Sequence, residues 1–253
     1  MKLPPITNKQ QELLKLLYRY RFLTSRHIEI LMHHKDRRRI GAWLKDLREK
    51  EYIEWIYSTD FDKKTQPAVY YLAINGIRYL RSLGGYPVGE LQKRYKESAR
   101  KASYVDRCFL VADCCIAVMK KSDENMQYTS ILPAEYMAPD NPYNYLAELK
   151  PHLYLVKRQD ENTTKYLLEI FEQTLPRYQL RKRLRDYIEF LDESDESHVA
   201  LFVGSTMPDF LYIKRSVRRL VEEYDVQSAQ LRVTTLDKLK LSGMTSGIWE
   251  DIS

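Results

Sequence analysis

The chain of 253 residues is poor in cysteine, in glycine and in long apolar runs. Its three cysteines form no Cys-x-x-Cys pair, which argues against a disulfide framework and a cysteine-built zinc site. All three lie in one apolar run, Cys108 to Met119, and are interpreted as reduced core residues on a helix. No apolar run approaches the ~20 residues of a membrane span, and the N-terminus lacks the apolar core of a signal peptide. These absences predict a cytoplasmic protein that does not enter a membrane.

The composition is that of a folded protein with a surplus of positive charge. Hydrophobic residues make up 44% of the chain and charged residues 30%, which is enough apolar material for a core and favours two domains at this length. The net charge of +6 suits a polyanionic partner, although many ordinary proteins carry a similar surplus. The location of the charge therefore matters more than its size.

The first third of the chain has the pattern of a helix-turn-helix followed by a hairpin. Helical spacing predicts helices over 8–20 and 26–32 and a third one that Asp36 caps. Two short β-rich runs then flank a polar loop with Lys63 and Lys64 at its tip, which is typical of a wing. We therefore predict a winged helix-turn-helix domain over residues 1–85, ending at the Gly84-Gly85-Tyr86-Pro87 break, and a second domain over residues 86–253.

The third helix begins Asp36-Arg37-Arg38-Arg39, and its phase separates an apolar from a basic face. The apolar face comprises Ile40, Trp43, Leu44 and Leu47, and the opposite face carries Lys35, Arg38, Ala42, Lys45 and Glu49. Such a helix can enter a major groove of double-stranded DNA. A solvated charged face is the alternative, but the turn and the wing favour DNA. The predicted DNA contacts are Ser25, Arg26, Lys35, Arg37, Arg38, Arg39, Lys45, Lys63 and Lys64.

The second part of the chain alternates helices and short β-rich runs, which predicts an α/β fold with a mixed sheet. The expected strands cover 127–132, 153–156, 166–171, 199–203 and 231–235. The expected helices cover 96–121, 176–191 and 209–224.

Three short motifs in this part carry a resemblance to a known family. They are Lys150-Pro151-His152, then Glu169-Ile-Phe171-Glu172-Gln-Thr174, and then a basic helix with Arg183 and Tyr187. Together with the winged helix they make the chain resemble the replication-relaxation family of plasmid and mobile-element proteins. The resemblance implies a second domain similar to the PD-(D/E)XK nucleases, with the α/β sandwich of restriction endonucleases. It also implies a role in replication, relaxation or transcriptional control of a plasmid, phage or integrative element, with other replication or mobilisation proteins as partners.

The residues that a nuclease of this type needs are incomplete here. A Mg²⁺-dependent nuclease needs two converging carboxylates and a lysine. Relative to the family pattern, His152 replaces the aspartate, Phe171 stands where nucleases place lysine, and Arg183 aligns with the lysine of the helix. Only Glu169 remains as an acid, so Glu169 and His152 are interpreted as vestigial. We expect no enzymatic activity, no metal and no cofactor.

Several alternatives stay open. The second domain could be an active metal-dependent nuclease, or it could sense a ligand in a transcriptional regulator. His152, Glu169 and His198 form a legitimate ligand set for a transition metal, although a hydrogen-bonded histidine is the simpler interpretation. The basic helix over 176–191 is interpreted as a solvated or partner-facing surface, with a second nucleic-acid contact as the alternative. The twenty tyrosines suit an interface and predict a homodimer.

Overall fold

The structure, a computed structural model, describes residues 3–56, 67–226, 229–244 and 246–252. The chain divides into two compact units. The first unit comprises Met1–Ile116 with Ala134–Asn144, and the second unit comprises Ala117–Pro133 with Tyr145–Ser253. The wing residues Lys63 and Lys64 lie outside the described residues.

The first unit begins with the element order that the sequence predicts for a winged helix-turn-helix. Its elements are α1 (Asn8–Tyr20), β1 (Leu23–Thr24), α2 (Ser25–Leu31), α3 (Arg37–Glu49), β2 (Ile53–Ile56), β3 (Val69–Leu72) and α4 (Ile74–Leu83). The three strands form an antiparallel sheet in the order β1-β3-β2. The hairpin of β2 and β3 therefore directly follows α3, as expected for a wing.

Side-chain caps fix where the first two helices begin. Thr7, just before the predicted helix over 8–20, caps α1, because its side chain and that of Gln10 form a reciprocal capping box. Thr24 caps α2 in the same way with His27, which leaves Ser25 as the first helical residue. The polar residue just before each helix is the cap, because only that position keeps an extended backbone.

The long helix predicted over residues 96–121 is present as α6 (Ala102–Met119), but it begins six residues later than predicted. The residues before it form α5 (Val88–Arg94) and a 3₁₀ turn (Glu97–Ala99). Glu97 in the turn is buried, and Arg21 holds its two carboxylate oxygens at 2.7 and 2.9 Å. A buried carboxylate must be paired, so this long-range ion pair, and not local helix propensity, sets the course of the backbone.

The first unit extends past the predicted boundary at residue 85. The next 31 residues, up to Ile116, also belong to this unit. The guanidinium of Arg94 donates a hydrogen bond to the carbonyl oxygen of Tyr18 at 3.2 Å. Phe22 packs against Val105 in a small apolar cluster. The glycines at 84 and 85 therefore mark a turn, with positive φ at both, within a compact unit.

The second unit contains a six-stranded mixed sheet in the order β4-β5-β6-β7-β8-β9. The pairs β6–β7 and β7–β8 are parallel, and the other three are antiparallel. The α/β class with a mixed sheet is confirmed. The strands are β4 (Met126–Ile131), β5 (Leu153–Gln159), β6 (Asn162–Ile170), β7 (His198–Gly204), β8 (Gln230–Thr235) and β9 (Glu250–Asp251).

Two long helices alternate with the parallel strands, close to their predicted limits. They are α9 (Arg177–Glu193) and α10 (Met207–Tyr224), and they pack against each other. Four short elements were missed because they are too short to show a period, namely α7 (Pro133–Tyr136), α8 (Leu146–Leu149), α11 (Leu236–Ser242) and β9.

The apolar run with the three cysteines lies on α6, as predicted. Cys114 and Cys115 are buried, Cys108 is half-buried, and none of these three residues forms a disulfide. Burial raises the pKa of the Cys108 thiol to about 11, which fits an unreactive core residue. Within the described parts of the chain, no helix is both long and apolar enough to cross a bilayer.

Candidate nucleic-acid interface and buried carboxylate site

The N-terminus of α3 is capped as the sequence predicts. The Oδ1 atom of Asp36 accepts hydrogen bonds from the backbone N–H groups of Arg38 at 2.9 Å and Arg39 at 3.1 Å. This cap fixes the first turn of the helix, and all three arginines of that turn are exposed.

The rest of α3 follows the predicted phase with one correction. Ile40, Leu44 and Leu47 are buried, whereas Trp43 is only half-buried. The ring of Trp43 meets His34 edge-on with the ring centroids 5.0 Å apart, so Trp43 lies at the margin of the core beside the turn. The residues predicted for the opposite side are all exposed. We call them the α3 face: Lys35, Arg38, Ala42, Lys45 and Glu49.

The positive charges of the α3 face have little internal compensation. Lys45 lies 3.8 Å from Glu49, an exposed pair that contributes about 0.3–0.5 kcal/mol and is easily exchanged. Among the described residues, no ion pair is formed by Lys35 or by the arginines at 37, 38 and 39. Exposed cations without a protein partner remain available to an external anion.

Other predicted contacts differ in their accessibility. Arg26 is exposed in the first turn of α2, and Ser25 beside it is half-buried. Arg48, near the end of α3, is not one of the predicted contacts; it stacks on the ring of Trp55 at 3.5 Å and lies 3.7 Å from Glu54. The hairpin therefore holds Arg48 away from the α3 face.

The family motifs of the second unit meet at Glu169, near the end of β6. Glu169 is only 5% exposed. Its Oε1 accepts a hydrogen bond from Nε of Arg183 at 3.0 Å, and its Oε2 accepts from Nη2 of Arg183 at 2.9 Å and from the hydroxyl of Tyr187 at 2.8 Å. Both carboxylate oxygens are thus engaged by the protein itself.

Arg183 is the cation of this site. Its guanidinium also donates to the backbone carbonyl oxygens of Leu149 and Lys150, the latter at 2.9 Å. Lys150 adopts a left-handed backbone conformation at the end of α8, which turns the two carbonyls toward the guanidinium. Four hydrogen bonds therefore fix Arg183, a planar fork that no lysine could replace.

The ionisation of Glu169 follows from this arrangement. Burial raises the pKa of its carboxyl, but the charges of His152 and Arg183 and the hydrogen bonds from Arg183 and Tyr187 outweigh that effect. The pKa of Glu169 consequently lies below its usual range. Burial lowers the pKa of Arg183, and the charge of Glu169 more than reverses this, so that Arg183 stays charged.

His152 serves the backbone rather than a metal. Its Nδ1 accepts a hydrogen bond from the N–H of Ile170 at 3.0 Å and lies 3.7 Å from Oε2 of Glu169. This backbone contact holds the ring of His152 beside the carboxylate of Glu169.

The alternative metal set is not assembled. His198 begins β7 opposite Lys165, whereas Glu169 lies opposite Phe202, four residues or about 13 Å further along the strands. Nδ1 of His198 is within 2.9 Å of the carbonyl oxygen of Glu196. No cluster of three or more potential metal ligands occurs in the portion of the chain that the structure describes.

The basic helix α9 has its charges distributed over different partners. Arg177 pairs with Asp209 at 3.0 Å, Arg181 lies 3.6 Å from Glu223, and Arg183 turns inward to Glu169. Lys182, the neighbour of the family's lysine position, is exposed. Sequence reasoning missed the pairing of Arg183, although its spacing of four residues from Tyr187 places both on one side of the helix.

Comparisons with known proteins cover parts of both units. The family model described as replication-relaxation matches residues 14–203, which are 190 of the 253 residues. No curated protein matches the chain. The solved structure of restriction endonuclease FokI matches with 12% sequence identity and a TM-score of 0.32, covering 94% of this chain and 46% of that chain. This chain thus spans less than half the length of that structure, and a TM-score this low does not establish a common fold.

Proposed function

The chain belongs to the replication-relaxation family, and we propose that its first unit binds double-stranded DNA through the α3 face. The second unit supports this binding without metal-dependent catalysis. The setting is the replication, relaxation or transcriptional control of a plasmid or other mobile element. Other replication or mobilisation proteins are the expected partners.

The observation that carries the proposal is the capped first turn of α3, whose exposed arginines form no ion pair with any residue that the structure describes. Duplex DNA is a polyanion, and cations without a protein partner release its counterions on binding. The preceding α2 and the following hairpin supply the frame in which such a helix enters the major groove.

The spacing on the α3 face suits a groove. Arg38 and Lys45 are seven residues apart, about 10 Å along the helix. Between them lie Gly41 and Ala42, both exposed, and a Cβ atom added at Gly41 would meet nothing within 4 Å. Two cations separated by small residues let the helix approach base edges closely. Arg37 and Arg39 lie at the sides and are placed for phosphates.

The test is the double variant Arg38→Ala with Lys45→Ala. We expect duplex affinity to fall at least tenfold and the slope of log affinity against log salt to decrease by about 1 for each phosphate that the variant no longer neutralises. The matched control is Arg78→Ala with Arg81→Ala, which removes two exposed arginines from α4. If the folded variant with Arg38→Ala and Lys45→Ala binds duplex DNA with unchanged affinity, α3 is not the helix that contacts the DNA.

The proposed lack of catalysis rests on Glu169, whose two oxygens are both occupied by Arg183 and Tyr187. A nuclease metal needs free carboxylate oxygens. Incubation with supercoiled plasmid and Mg²⁺ or Mn²⁺ should therefore leave the plasmid intact. Nicking that disappears in Glu169→Ala would establish an active nuclease instead.

A ligand-responsive regulator is the second candidate, and one observation favours it. A groove of about 550 Å³ in the second unit lies between α10 and the edge strands, with Val221, Leu231 and Ile252 in its lining. A small molecule that changes DNA affinity in the natural protein, but not in the groove-filling variant Val221→Trp, would support this candidate.

The homodimer is also part of the proposal. A two-fold dimer would present two α3 helices to a palindromic site. Sedimentation velocity with and without duplex DNA measures it directly.

A further inference from the structure

In the first unit, α6 runs alongside the segment that joins α1 to α2. The ring centroids of Phe22 and Tyr104 are 6.2 Å apart, and those of His27 and Phe109 are 5.5 Å apart. The two chain segments thus advance together from the end of α1 to the first turn of α2. The beginning of α6 therefore lies beside the end of α1, and its middle, at Phe109, borders the first turn of α2, which carries predicted DNA contacts.

Several arginines surround the single carboxylate of Glu97, close to the beginning of α6. Arg21 binds both oxygens of Glu97. Nε of Arg100 lies 3.4 Å from one of these oxygens, and Nη1 of Arg94 lies 3.8 Å from the other. Three guanidinium groups therefore share one negative charge, where one would be enough to neutralise it.

A further arginine, Arg107, contacts the aromatic ring of Tyr104 beside this carboxylate. The guanidinium carbons of Arg21, Arg100 and Arg107 lie 4.8, 5.0 and 4.8 Å from the centroid of the Tyr104 ring. Cation–π contacts of this kind orient guanidinium groups but do not cancel their charge. We call Arg21, Arg94, Arg100 and Arg107 the arginine cluster.

The part of the arginine cluster around Glu97 is short of negative charge. Three cations face this one buried acid, while the nearby Glu90 is bonded to Lys93. Among the described residues, Nε and Nη1 of Arg94 are buried without a hydrogen-bond partner. Burial and then the charge of Arg21 lower the pKa of Arg94.

We propose that the arginine cluster binds a phosphate group of the DNA backbone through Arg100 and Arg107, beside the groove that α3 enters. Arg94 lies deep, with its side chain 3% exposed, whereas the side chain of Arg100 is 32% exposed and Arg107 is half-buried. Guanidinium forks held on an aromatic ring match the oxygens of a phosphate. The bound phosphate supplies negative charge to the arginines around Glu97, which Glu97 alone does not neutralise. This proposal rests on DNA binding by the first unit.

The experiment is the double variant Arg100→Ala with Arg107→Ala, measured against duplex DNA over a range of salt. Removing two phosphate-binding arginines should reduce the slope of log affinity against log salt by about 2 and weaken binding at least fivefold. Arg78→Ala with Arg81→Ala removes the same charge elsewhere in the first unit and should leave the slope nearly unchanged. If the alanine variant does not fold, Arg100→Lys with Arg107→Lys carries the test, with a smaller decrease in affinity because lysine lacks the fork.

The outcomes separate this proposal from the one for α3. If Arg38→Ala with Lys45→Ala abolishes binding while the folded cluster variant binds DNA normally, and inorganic phosphate does not raise the melting temperature, the cluster is not a phosphate site. If the cluster variant binds DNA normally but no longer shows a phosphate-induced rise in melting temperature, the site binds free phosphate. The phosphate group bound there then does not come from the DNA backbone. If the natural protein binds no duplex, the function proposed for α3 and the DNA source both fail.

Discussion

The α3 face and the Glu169 site differ in whether their positive charges are paired with groups of the protein. On α3, Arg38 and its neighbours are exposed and have no ion pair among the described residues. In the second unit, Arg183 is held by a buried carboxylate and two backbone carbonyls. A charge that the protein has already neutralised is part of its structure, whereas a charge left without a partner is available to a ligand. This difference, more than the number of basic residues, is the reason why we propose a binding surface in the first unit.

The largest expected effect comes from removing the acid of the neutralised site. Glu169→Ala leaves the guanidinium of Arg183 buried without its partner, and we expect the free energy of unfolding to fall by about 3–5 kcal/mol. Urea unfolding followed by circular dichroism measures this change. Glu161→Ala, an exposed acid in the turn between β5 and β6, is the matched control and should stay within about 0.5 kcal/mol. A decrease below about 1 kcal/mol for Glu169→Ala would mean that the pair is not structural.

Acid should weaken the same site. Since the pKa of Glu169 is lower in the folded chain than in the unfolded chain, its contribution is fully present above the unfolded value of about 4.3. It disappears as the pH falls through the lower, folded value. The difference in unfolding free energy between the natural protein and Glu169→Gln should therefore be constant near neutral pH and shrink below about pH 4. A difference that is independent of pH would contradict this account.

The cap of α3 gives the next effect. Asp36→Ala removes the acceptor for two backbone N–H groups, and the unfolding free energy should fall by about 1 kcal/mol. Asp36→Asn keeps a capping oxygen and should remain close to the natural protein. Equal decreases in both variants would assign the effect to charge instead of capping.

Two glycines test the contrast between an open and a packed surface. Gly41→Ala on the exposed side of α3 should raise the unfolding free energy by about 1 kcal/mol, because alanine favours helix and nothing lies within 4 Å of the added carbon. Gly76→Ala on α4 should be destabilising, since the same carbon would collide with the carbonyl oxygen of Tyr52. Thermal melts of the two variants should shift in opposite directions.

The smallest expected effect is on the α3 face itself. Glu49→Gln frees Lys45 from its exposed pair and removes a negative charge near the DNA, so duplex affinity should rise about twofold, in line with about 0.3–0.5 kcal/mol. Glu12→Gln breaks a comparable pair with Lys9 on α1 and should not change affinity. Unchanged affinity for Glu49→Gln would place this end of α3 away from the DNA.

Much of the fold could be predicted because its elements follow local rules. Apolar spacing and the cap at Asp36 determine α3, and β-rich runs determine the strands of the mixed sheet. The break at Glu97 could not be predicted in this way, because the ion pair with Arg21 joins residues 76 positions apart. Periodicity contains no information on such a contact.

The candidate sites also differ in how far they could be predicted from the sequence. The exposed residues of the α3 face follow from helical phase, so the sequence places them on one side without help from the fold. The pairing of Glu169 with Arg183 depends on how α9 packs near the end of β6, and the arginine cluster depends on how α6 lies along the α1–α2 connection.

By itself, then, the sequence determined where helices and strands lie, which family motifs are eroded at His152 and Phe171, and which cations of α3 point outward. Only the tertiary structure decided which charges are neutralised. Local spacing fixes the direction of a side chain on its own element, but the partner that meets it comes from a distant part of the chain. For that reason the basic residues of α3 could be assigned from sequence, whereas those around Glu97 and Glu169 required the fold.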